Sequence, residues 1–186
     1  GRRVWLADSF RGIPEVKPER YPEDAAHQGA EQLSAHERNT AMGVLRSFER
    51  VGLLPEGGPE RASRGVGPVR ILEGYFNETL PAPGNQAAFA ERRFSLIRLD
   101  GDTYESTIQA LDALYPHLSV GGFVVVDDYM DWVGARRAAI DYRRRHGIAS
   151  PIVPVYHDRV RFAERDVGEV PRGVWWRKTE ELQGPR

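Results

Sequence analysis

Cysteine is absent from the 186 residues, which excludes disulfides and thiolate metal ligands. No apolar run is long enough to span a membrane, and no signal-peptide pattern is visible. The formal net charge of -1 gives no support for binding nucleic acid or a membrane surface. Lysine is nearly missing, since Lys17 and Lys178 are the only two, and we interpret this as codon bias. Composition therefore predicts a soluble, cytoplasmic globular domain.

Two segments of the chain are mostly apolar and end in carboxylates. Asp100 and Asp102 follow the run 94–99, and Asp127 and Asp128 follow the run 123–126. Such runs, with helical stretches between them, are typical of strands in a buried parallel sheet. Ligands of these sheets bind outside the carboxyl ends of the strands. We expect the four carboxylates to gather at one edge, where a cation or a shared proton would relieve their repulsion.

The order of the predicted elements indicates a doubly wound α/β sheet rather than a barrel. Strands are predicted at about 3–7, 69–73, 94–99, 123–126, 152–156 and 174–177, the last two as a closing hairpin. Helices are predicted from a capping box at Ser34 and Glu37 to Gly52, over 103–115 and over 135–146. The segment 11–33 has no clear period and is predicted to be a long loop.

The acidic residues have a chemical and a structural interpretation. Asp100, Asp127 and Asp128 offer the hard oxygen ligands that suit Mg²⁺ or Ca²⁺, whereas the five histidines show no metal-ligand spacing. Asp102 either caps the following helix or acts as a general base whose pKa is raised by neighbouring carboxylates. Both interpretations of Asp102 stay open on the sequence alone.

Two further strand ends carry candidate ligand contacts. In nucleotide-binding α/β folds an acidic residue at the position of Asp8 accepts hydrogen bonds from ribose hydroxyls, although a turn or cap is the simpler explanation. Gly74 allows a close backbone approach, and Tyr75 or Phe76 is able to cover a flat base. Ordinary core aromatics and a turn explain that second segment equally well.

Six stretches of sequence, in order along nearly the whole chain, resemble one known family. They are 7–14 (ADSFRGIP), 48–54 (FERVGLL), 72–76 (LEGYF), 79–81 (TLP), 98–107 (RLDGDTYEST) and 121–129 (GGFVVVDDY). This combination is similar to the macrocin O-methyltransferase family. Its members are bacterial S-adenosylmethionine-dependent enzymes of antibiotic biosynthesis that methylate sugar hydroxyls on macrolides and aminocoumarins.

The resemblance implies a metal site and a general base. By their positions in the matching motifs, Asp100, Asp127 and Asp128 correspond to the Mg²⁺ ligands of the family. Asp102 corresponds to the base that deprotonates the sugar hydroxyl. The implied partner is a small-molecule glycoside, without nucleic acid or membrane, and homo-oligomerisation is left open.

The resemblance also implies a cofactor site and a lid. Asp8 and Ser9 match the end of a strand near the ribose of S-adenosylmethionine, and Gly74 and Tyr75 match the region near its adenine. The loop 11–33 corresponds to a lid over the acceptor sugar.

The chain departs from the family pattern in two places. It opens at the second strand of a Rossmann-like class I methyltransferase sheet, so the first strand and its glycine-rich loop are expected to be missing. We therefore interpret residues 1–186 as one N-terminally truncated catalytic domain that binds its cofactor poorly. The segment 55–68 is longer than the expected turn and is predicted to be a mobile insertion.

A haloacid-dehalogenase-type phosphatase is the main alternative. Residues 100–103 (DGDT) supply the Asp-x-Asp part of its Asp-x-Asp-x-Thr motif, with Asp100 as the nucleophile that forms an aspartyl-phosphate. Spacing argues against this function, because no lysine lies between Asp102 and Asp127. A non-catalytic binding domain is a second alternative, and a metal-dependent glycosyltransferase is a weaker third.

Overall fold

The described residues form two sheets, one in each of two compact units. The structure, a computed structural model, describes residues 3–28, 40–156 and 171–182. The first unit comprises Gly1–Glu15 and Gln28–Ala82, and the second comprises Val16–His27 and Pro83–Arg186.

The first unit is built on a two-stranded parallel sheet. Its elements are β1 (Val4–Asp8), α1 (Ala41–Arg50), α2 (Gly58–Ser63), β2 (Val69–Glu73) and α3 (Phe76–Thr79). The strands pair in register from Val4 opposite Val69 to Asp8 opposite Glu73. Burial of Leu45, Leu54, Ala62 and Val69 forms the core of this unit.

Two boundaries in the first unit differ from expectation. The capping box at Ser34 and Glu37 lies outside the described residues, and the described helix α1 begins after Thr40, whose hydroxyl accepts from Gly43 N at 3.0 Å. The segment 55–68 contains helix α2, and Ala62 is buried within it. Its mobility stays a prediction, but it is a structured part of the core rather than an irregular insertion.

The second unit is built on a four-stranded mixed sheet. Its strands are β3 (Phe94–Leu99), β4 (Leu118–Val126), β5 (Val153–Tyr156) and β6 (Pro171–Arg177), in the spatial order β3-β4-β6-β5. Its helices are α4 (Pro83–Glu91), α5 (Tyr104–Leu114) and α6 (Val133–Arg145), with 3₁₀ helices at Pro22–His27, Tyr115–His117 and Asp127–Tyr129. Strands β3 and β4 are parallel, whereas β6 is antiparallel to both β4 and β5.

The core of the second unit is dominated by aromatic side chains. Tyr115, Tyr142 and Trp176 are almost completely buried, and the rings of Tyr115 and Tyr142 pack with centroids 5.3 Å apart. Helix α5 buries Ile108 and Leu111, which are three residues apart and therefore lie on one face.

The predicted α/β class and the closing hairpin are both confirmed. Strands β2 and β3 have the predicted bounds, and the other strands differ by a few residues at their ends. The predicted loop 11–33 contains the 3₁₀ helix Pro22–His27, while its residues 29–33 lie outside the described part of the chain. No helix among the described residues is long and apolar enough to cross a membrane.

Candidate active site at the ends of β3 and β4

Three carboxylates meet where the parallel strands β3 and β4 end. Leu99 pairs with Val126 in the register of the two strands, so the residues that follow them are neighbours. Asp100, Asp127 and Asp128 each place one oxygen within 4.8 Å of the others. Among the described residues this is the one group of three potential metal ligands. The predicted gathering of these carboxylates at one sheet edge is therefore confirmed.

Arg98 links two members of this acidic cluster. Its Nη1 donates to Oδ2 of Asp100 and its Nη2 donates to Oδ2 of Asp127, both at 2.7 Å. The guanidinium thus bridges the ends of two neighbouring strands and offsets part of their negative charge. All three side chains are about half exposed, which leaves the cluster open to solvent and to an incoming cation.

The donor set fits a divalent cation. Carboxylate oxygens are hard ligands, and Mg²⁺ or Ca²⁺ binds through one or more of them and completes its shell with water. Asp100, Asp127 and Asp128 would supply these oxygens. Two of the three carboxylates, those of Asp100 and Asp127, already pair with a positively charged group, the guanidinium of Arg98.

Asp102 lies beside the cluster in an unusual backbone conformation. Its φ is 55°, in the left-handed region that non-glycine residues rarely adopt. Its backbone N–H donates to Oδ2 of Asp128 at 3.2 Å, which joins the loop after β3 to the loop after β4. The backbone of Asp102 is therefore anchored to a member of the acidic cluster.

The environment of Asp102 and Asp128 favours their protonated forms. Burial, with the charges of Asp102 and Asp100 next in importance, raises the pKa of the Asp128 carboxyl to about 7. Burial and the charge of Asp100 also raise the pKa of Asp102, while the His27 imidazole opposes that rise. A bound divalent cation would reverse this tendency by stabilising the carboxylates.

Helix α5 is capped without any contribution from Asp102. Thr103 is the N-cap residue, and its hydroxyl accepts from Ser106 N at 3.0 Å. The carboxylate of Asp24 accepts from Tyr104 N at 2.5 Å and from Glu105 N at 3.1 Å. The capping interpretation of Asp102 is therefore wrong, and its carboxylate is available for chemistry.

The other four predicted site residues lie together in the first unit. Asp8 is exposed at the end of β1, and its Oδ1 accepts from Phe10 N at 2.6 Å. Gly74 follows β2 with a φ of 141°, and its N–H donates to Asp8 O at 2.9 Å.

Ser9 and Tyr75 complete that group. Ser9 is buried and its hydroxyl donates to Gly12 O at 2.9 Å. Tyr75 is the N-cap residue of α3, and its carbonyl accepts from Thr79 N at 3.0 Å. For Gly74 and Tyr75, a turn and a ligand contact are compatible, because the bonds named for these two residues use their backbone atoms.

Sequence reasoning assigned no role to Arg98, Asp24 or His27. Arg98 lies in the stretch 98–107 that carries the family resemblance. Its position two residues before Asp100 is a signal that could have indicated an ion pair with the acidic cluster. Asp24 has no comparable signal, because its partner Tyr104 is 80 residues away along the chain.

The chain is similar to known methyltransferases over most of its length. Residues 1–164 match the family described as macrocin-O-methyltransferase (TylF). The chain is 40% identical over 185 residues to the 8-demethyl-8-(2,3-dimethoxy-alpha-L-rhamnosyl)-tetracenomycin-C 4'-O-methyltransferase of Streptomyces olivaceus, covering 96% of this chain and 56% of that protein. It is 35% identical to the mycinamicin III 3''-O-methyltransferase of Micromonospora griseorubida, covering 96% of this chain and 58% of that protein.

Solved structures of methyltransferases also superpose on this chain. The O-methyltransferase NovP superposes with a TM-score of 0.67 at 35% identity, covering 96% of this chain and 61% of that one. The calicheamicin methyltransferase CalS11 superposes with a TM-score of 0.59 at 21% identity, covering 95% and 60%, and supports the fold alone. The expected Rossmann-like class I methyltransferase fold is confirmed. The chain spans between half and two thirds of the length of these relatives.

Proposed function

The chain belongs to the macrocin O-methyltransferase family, and on that premise we propose that the protein transfers a methyl group from S-adenosylmethionine to a sugar hydroxyl of an antibiotic glycoside. The observation that carries this proposal is the acidic cluster of Asp100, Asp127 and Asp128, with Asp102 beside it and free of a capping role. The named relatives act on glycosylated tetracenomycin and on mycinamicin. Those names support a glycoside acceptor of the same chemical class.

In this proposal the three clustered carboxylates hold Mg²⁺. A bound Mg²⁺ would lower the pKa of an acceptor hydroxyl by Lewis-acid polarisation. The fit of the carboxylates to such an ion, and their openness to solvent, support the assignment. Arg98 limits the repulsion among the carboxylates by its ion pairs with Asp100 and Asp127.

Asp102 is the proposed general base. A sugar hydroxyl loses its proton far above neutral pH, so its attack on the sulfonium methyl group needs a nearby proton acceptor. The carboxyl of Asp102 lies beside the proposed metal ligands and has no capping role, so it is available to accept that proton. The methyl group is already activated in the cofactor, so the rest of the protein mainly aligns the two reactants.

Asp8, Ser9, Gly74 and Tyr75 are the proposed contacts to S-adenosylmethionine. The exposed carboxylate of Asp8 ends a parallel strand, which is where acidic residues of nucleotide-binding α/β folds accept hydrogen bonds from ribose. The positive φ of Gly74 and its bond to Asp8 O keep the two strand ends close together. The proposal also includes a single catalytic domain over residues 1–186 with a lid at 11–33. It further includes a cytoplasmic location and a small-molecule partner.

The experiment is methyl transfer by the full-length protein to a panel of antibiotic glycosides, followed by mass spectrometry. The panel contains the rhamnosylated tetracenomycin and mycinamicin III named for the relatives, each with S-adenosylmethionine and with Mg²⁺ or EDTA. We expect one glycoside to gain a methyl group only when Mg²⁺ is present. Absence of transfer to every glycoside, together with hydrolysis of a generic phosphate ester, would instead support the phosphatase.

The comparisons give the phosphatase alternative no support. Its chemistry also calls for a lysine near the aspartate nucleophile, and the two lysines are engaged elsewhere. Lys178 donates to Leu118 O at 2.8 Å and to Glu181, and Lys17 pairs with Glu105 at 3.8 Å. Neither contact involves the acidic cluster.

A further inference from the structure

The 3₁₀ helix Pro22–His27 carries two buried polar side chains that the proposed chemistry does not use. Asp24 and His27 are each only 1% exposed. They are three residues apart, and side chains at this spacing lie one above the other on a 3₁₀ helix. Burial of an aspartate to this degree requires specific partners, because an unpaired buried carboxylate is strongly unfavourable.

The partners of Asp24 are the first two amides of helix α5. Its Oδ1 accepts from Tyr104 N and its Oδ2 accepts from Glu105 N, while Thr103 serves the third amide, that of Ser106. The N-terminus of a helix leaves such amides without intrahelical partners, and it also carries partial positive charge. Asp24 therefore supplies a carboxylate to the first turn of the helix that starts two residues after Asp102.

His27 connects the same 3₁₀ helix to the segment after β4 that contains Asp127 and Asp128. Its imidazole packs on the ring of Trp132 with centroids 4.1 Å apart, and both ring nitrogens lack a hydrogen-bond partner among the described residues. The backbone N–H of Trp132 donates to Asp128 O at 2.9 Å. One short helix thus contacts the loop after β3 through Asp24 and the loop after β4 through His27.

Helix α6 leaves space for the contact between Asp24 and α5. A side chain on Gly134 would collide with Oδ1 of Asp24 and would lie 2.7 Å from Tyr104 N. These neighbours include backbone, which cannot move aside as the end of a flexible side chain would. The hydrogen bond between Asp24 and Tyr104 is therefore enclosed from three directions by α5, α6 and the 3₁₀ helix.

We infer that Asp24 is a positioning residue for Asp102, because it fixes the first turn of α5 and with it the left-handed backbone that aims the Asp102 carboxylate. Non-glycine residues keep such a conformation only where the surrounding contacts over-determine it. Here those contacts are the N–H bond of Asp102 to Asp128 on one side and the anchored amide of Tyr104 on the other. The inference rests on the proposed function, in which Asp102 accepts the acceptor's proton.

A positioning role has a specific kinetic consequence. Displacement of a catalytic group by about 1 Å is able to cost roughly 100-fold in rate without weakening substrate binding. Loss of Asp24 should therefore reduce kcat while leaving KM for the glycoside and the affinity for Mg²⁺ unchanged. A merely structural contact would lower thermal stability and leave kcat unchanged below the melting temperature.

The test compares Asp24→Asn and Asp24→Ala with the wild type in the full-length protein. Asparagine keeps one acceptor oxygen but turns an N–H₂ group toward a backbone amide, so it preserves half of the contact. We expect kcat to fall about tenfold in Asp24→Asn and about 100-fold in Asp24→Ala. Thr40→Ala, which removes the cap of α1, is the matched control and should lower thermal stability without changing kcat.

Two results would overturn the inference. One is a kcat in both Asp24 variants equal to that of Thr40→Ala. The other is a loss of Mg²⁺ affinity as large as the loss of kcat, which would place the effect on the metal ligands. If Asp24→Ala does not fold, Asp24→Asn alone decides between these outcomes.

Amide hydrogen exchange separates this inference from the proposed function. Should the wild type methylate no glycoside, the proposed function fails, and the inference is judged on exchange alone. Faster exchange in Asp24→Ala confined to residues 102–107 would support the anchoring of this segment by Asp24. Unchanged exchange there would overturn it.

Discussion

Two strand ends in this protein look alike in sequence and differ in what surrounds them. Strand β1 ends in Asp8 and strand β3 is followed by Asp100, and each strand pairs in parallel with a neighbour. The carboxylate of Asp8 accepts from the backbone two residues on, at Phe10 N. The carboxylate of Asp100 instead joins two other carboxylates and Arg98.

The neighbouring strand decides between these outcomes. Beside Asp8, strand β2 ends in Glu73, and the Gly74 that follows donates its backbone N–H to Asp8 O. Beside Asp100, strand β4 is followed by Asp127 and Asp128, which add two negative charges. An exposed carboxylate outside such a cluster suits hydrogen bonds from a hydroxyl, whereas a group of three suits a cation. The two sites should therefore respond differently to the same aspartate-to-asparagine change.

The largest effect is expected at Asp102. Asp102→Asn removes the proposed proton acceptor, and general-base catalysis contributes about 100- to 10,000-fold to rate. We expect kcat to fall about 1,000-fold while Mg²⁺ still binds. Asp131→Asn is the control, because Asp131 lies near the cluster in sequence but pairs with Arg172 at 3.7 Å. Full activity of Asp102→Asn would rule out the base.

Asp127→Asn should break the metal site and leave the cofactor site intact. Loss of one of three charged ligands should weaken Mg²⁺ binding by at least about tenfold, since even outer contacts of metal sites matter to that extent. Isothermal titration with Mg²⁺ measures this change, and a second titration with S-adenosylhomocysteine should give the wild-type affinity. An unchanged Mg²⁺ affinity would remove Asp127 from the set of ligands.

Asp8→Asn should produce the opposite pattern. Hydrogen bonds to a charged group contribute about 1.5–3 kcal/mol, so loss of the charge should weaken S-adenosylhomocysteine binding by roughly tenfold. The affinity for Mg²⁺ should stay at the wild-type value. The contrast between the two strand ends would collapse if Asp8→Asn changed the Mg²⁺ affinity as much as Asp127→Asn does.

Arg98→Met tests the effect of the positive charge beside the acidic cluster. Without the guanidinium, the carboxylates of Asp100 and Asp127 lose a competing cation, and we expect Mg²⁺ to bind severalfold more tightly (about 1 kcal/mol). Arg137→Met is the matched control, because Arg137 is equally exposed and pairs with Asp141 at 2.9 Å. Weaker Mg²⁺ binding in Arg98→Met would mean that Arg98 orients the ligands rather than competing with the ion.

The smallest expected effect is a pH dependence of stability without metal. Because the pKa of Asp128 is raised to about 7, its contribution to stability is present below the ordinary aspartate pKa and is lost as pH rises through 7. We expect the melting temperature of the metal-free protein to fall by a few degrees between pH 5 and about pH 8. Mg²⁺ should reverse this fall, and a flat profile in the metal-free protein would contradict the shift.

Sequence patterns predicted most of the fold and the acidic cluster, because both depend on local features. The bounds of β2 and β3 follow from short apolar runs with clear ends, and the proximity of Asp100 and Asp127 follows from parallel pairing. The cap of α5 did not follow from the sequence, since Asp102 and Thr103 are both good N-cap residues. Asp24 binds the first amide of α5 although it lies 80 residues away in the sequence, a distance over which local patterns carry no information.

The most direct test of the central claim is isothermal titration of Mg²⁺ into the full-length protein at pH 8, wild type beside Asp100→Asn and Asp127→Asn. We expect one Mg²⁺ site in the wild type and clearly weaker binding in both variants, since Asp100 and Asp127 contribute oxygens to the same cluster. Equal binding in all three proteins, or no binding in the wild type, would contradict it.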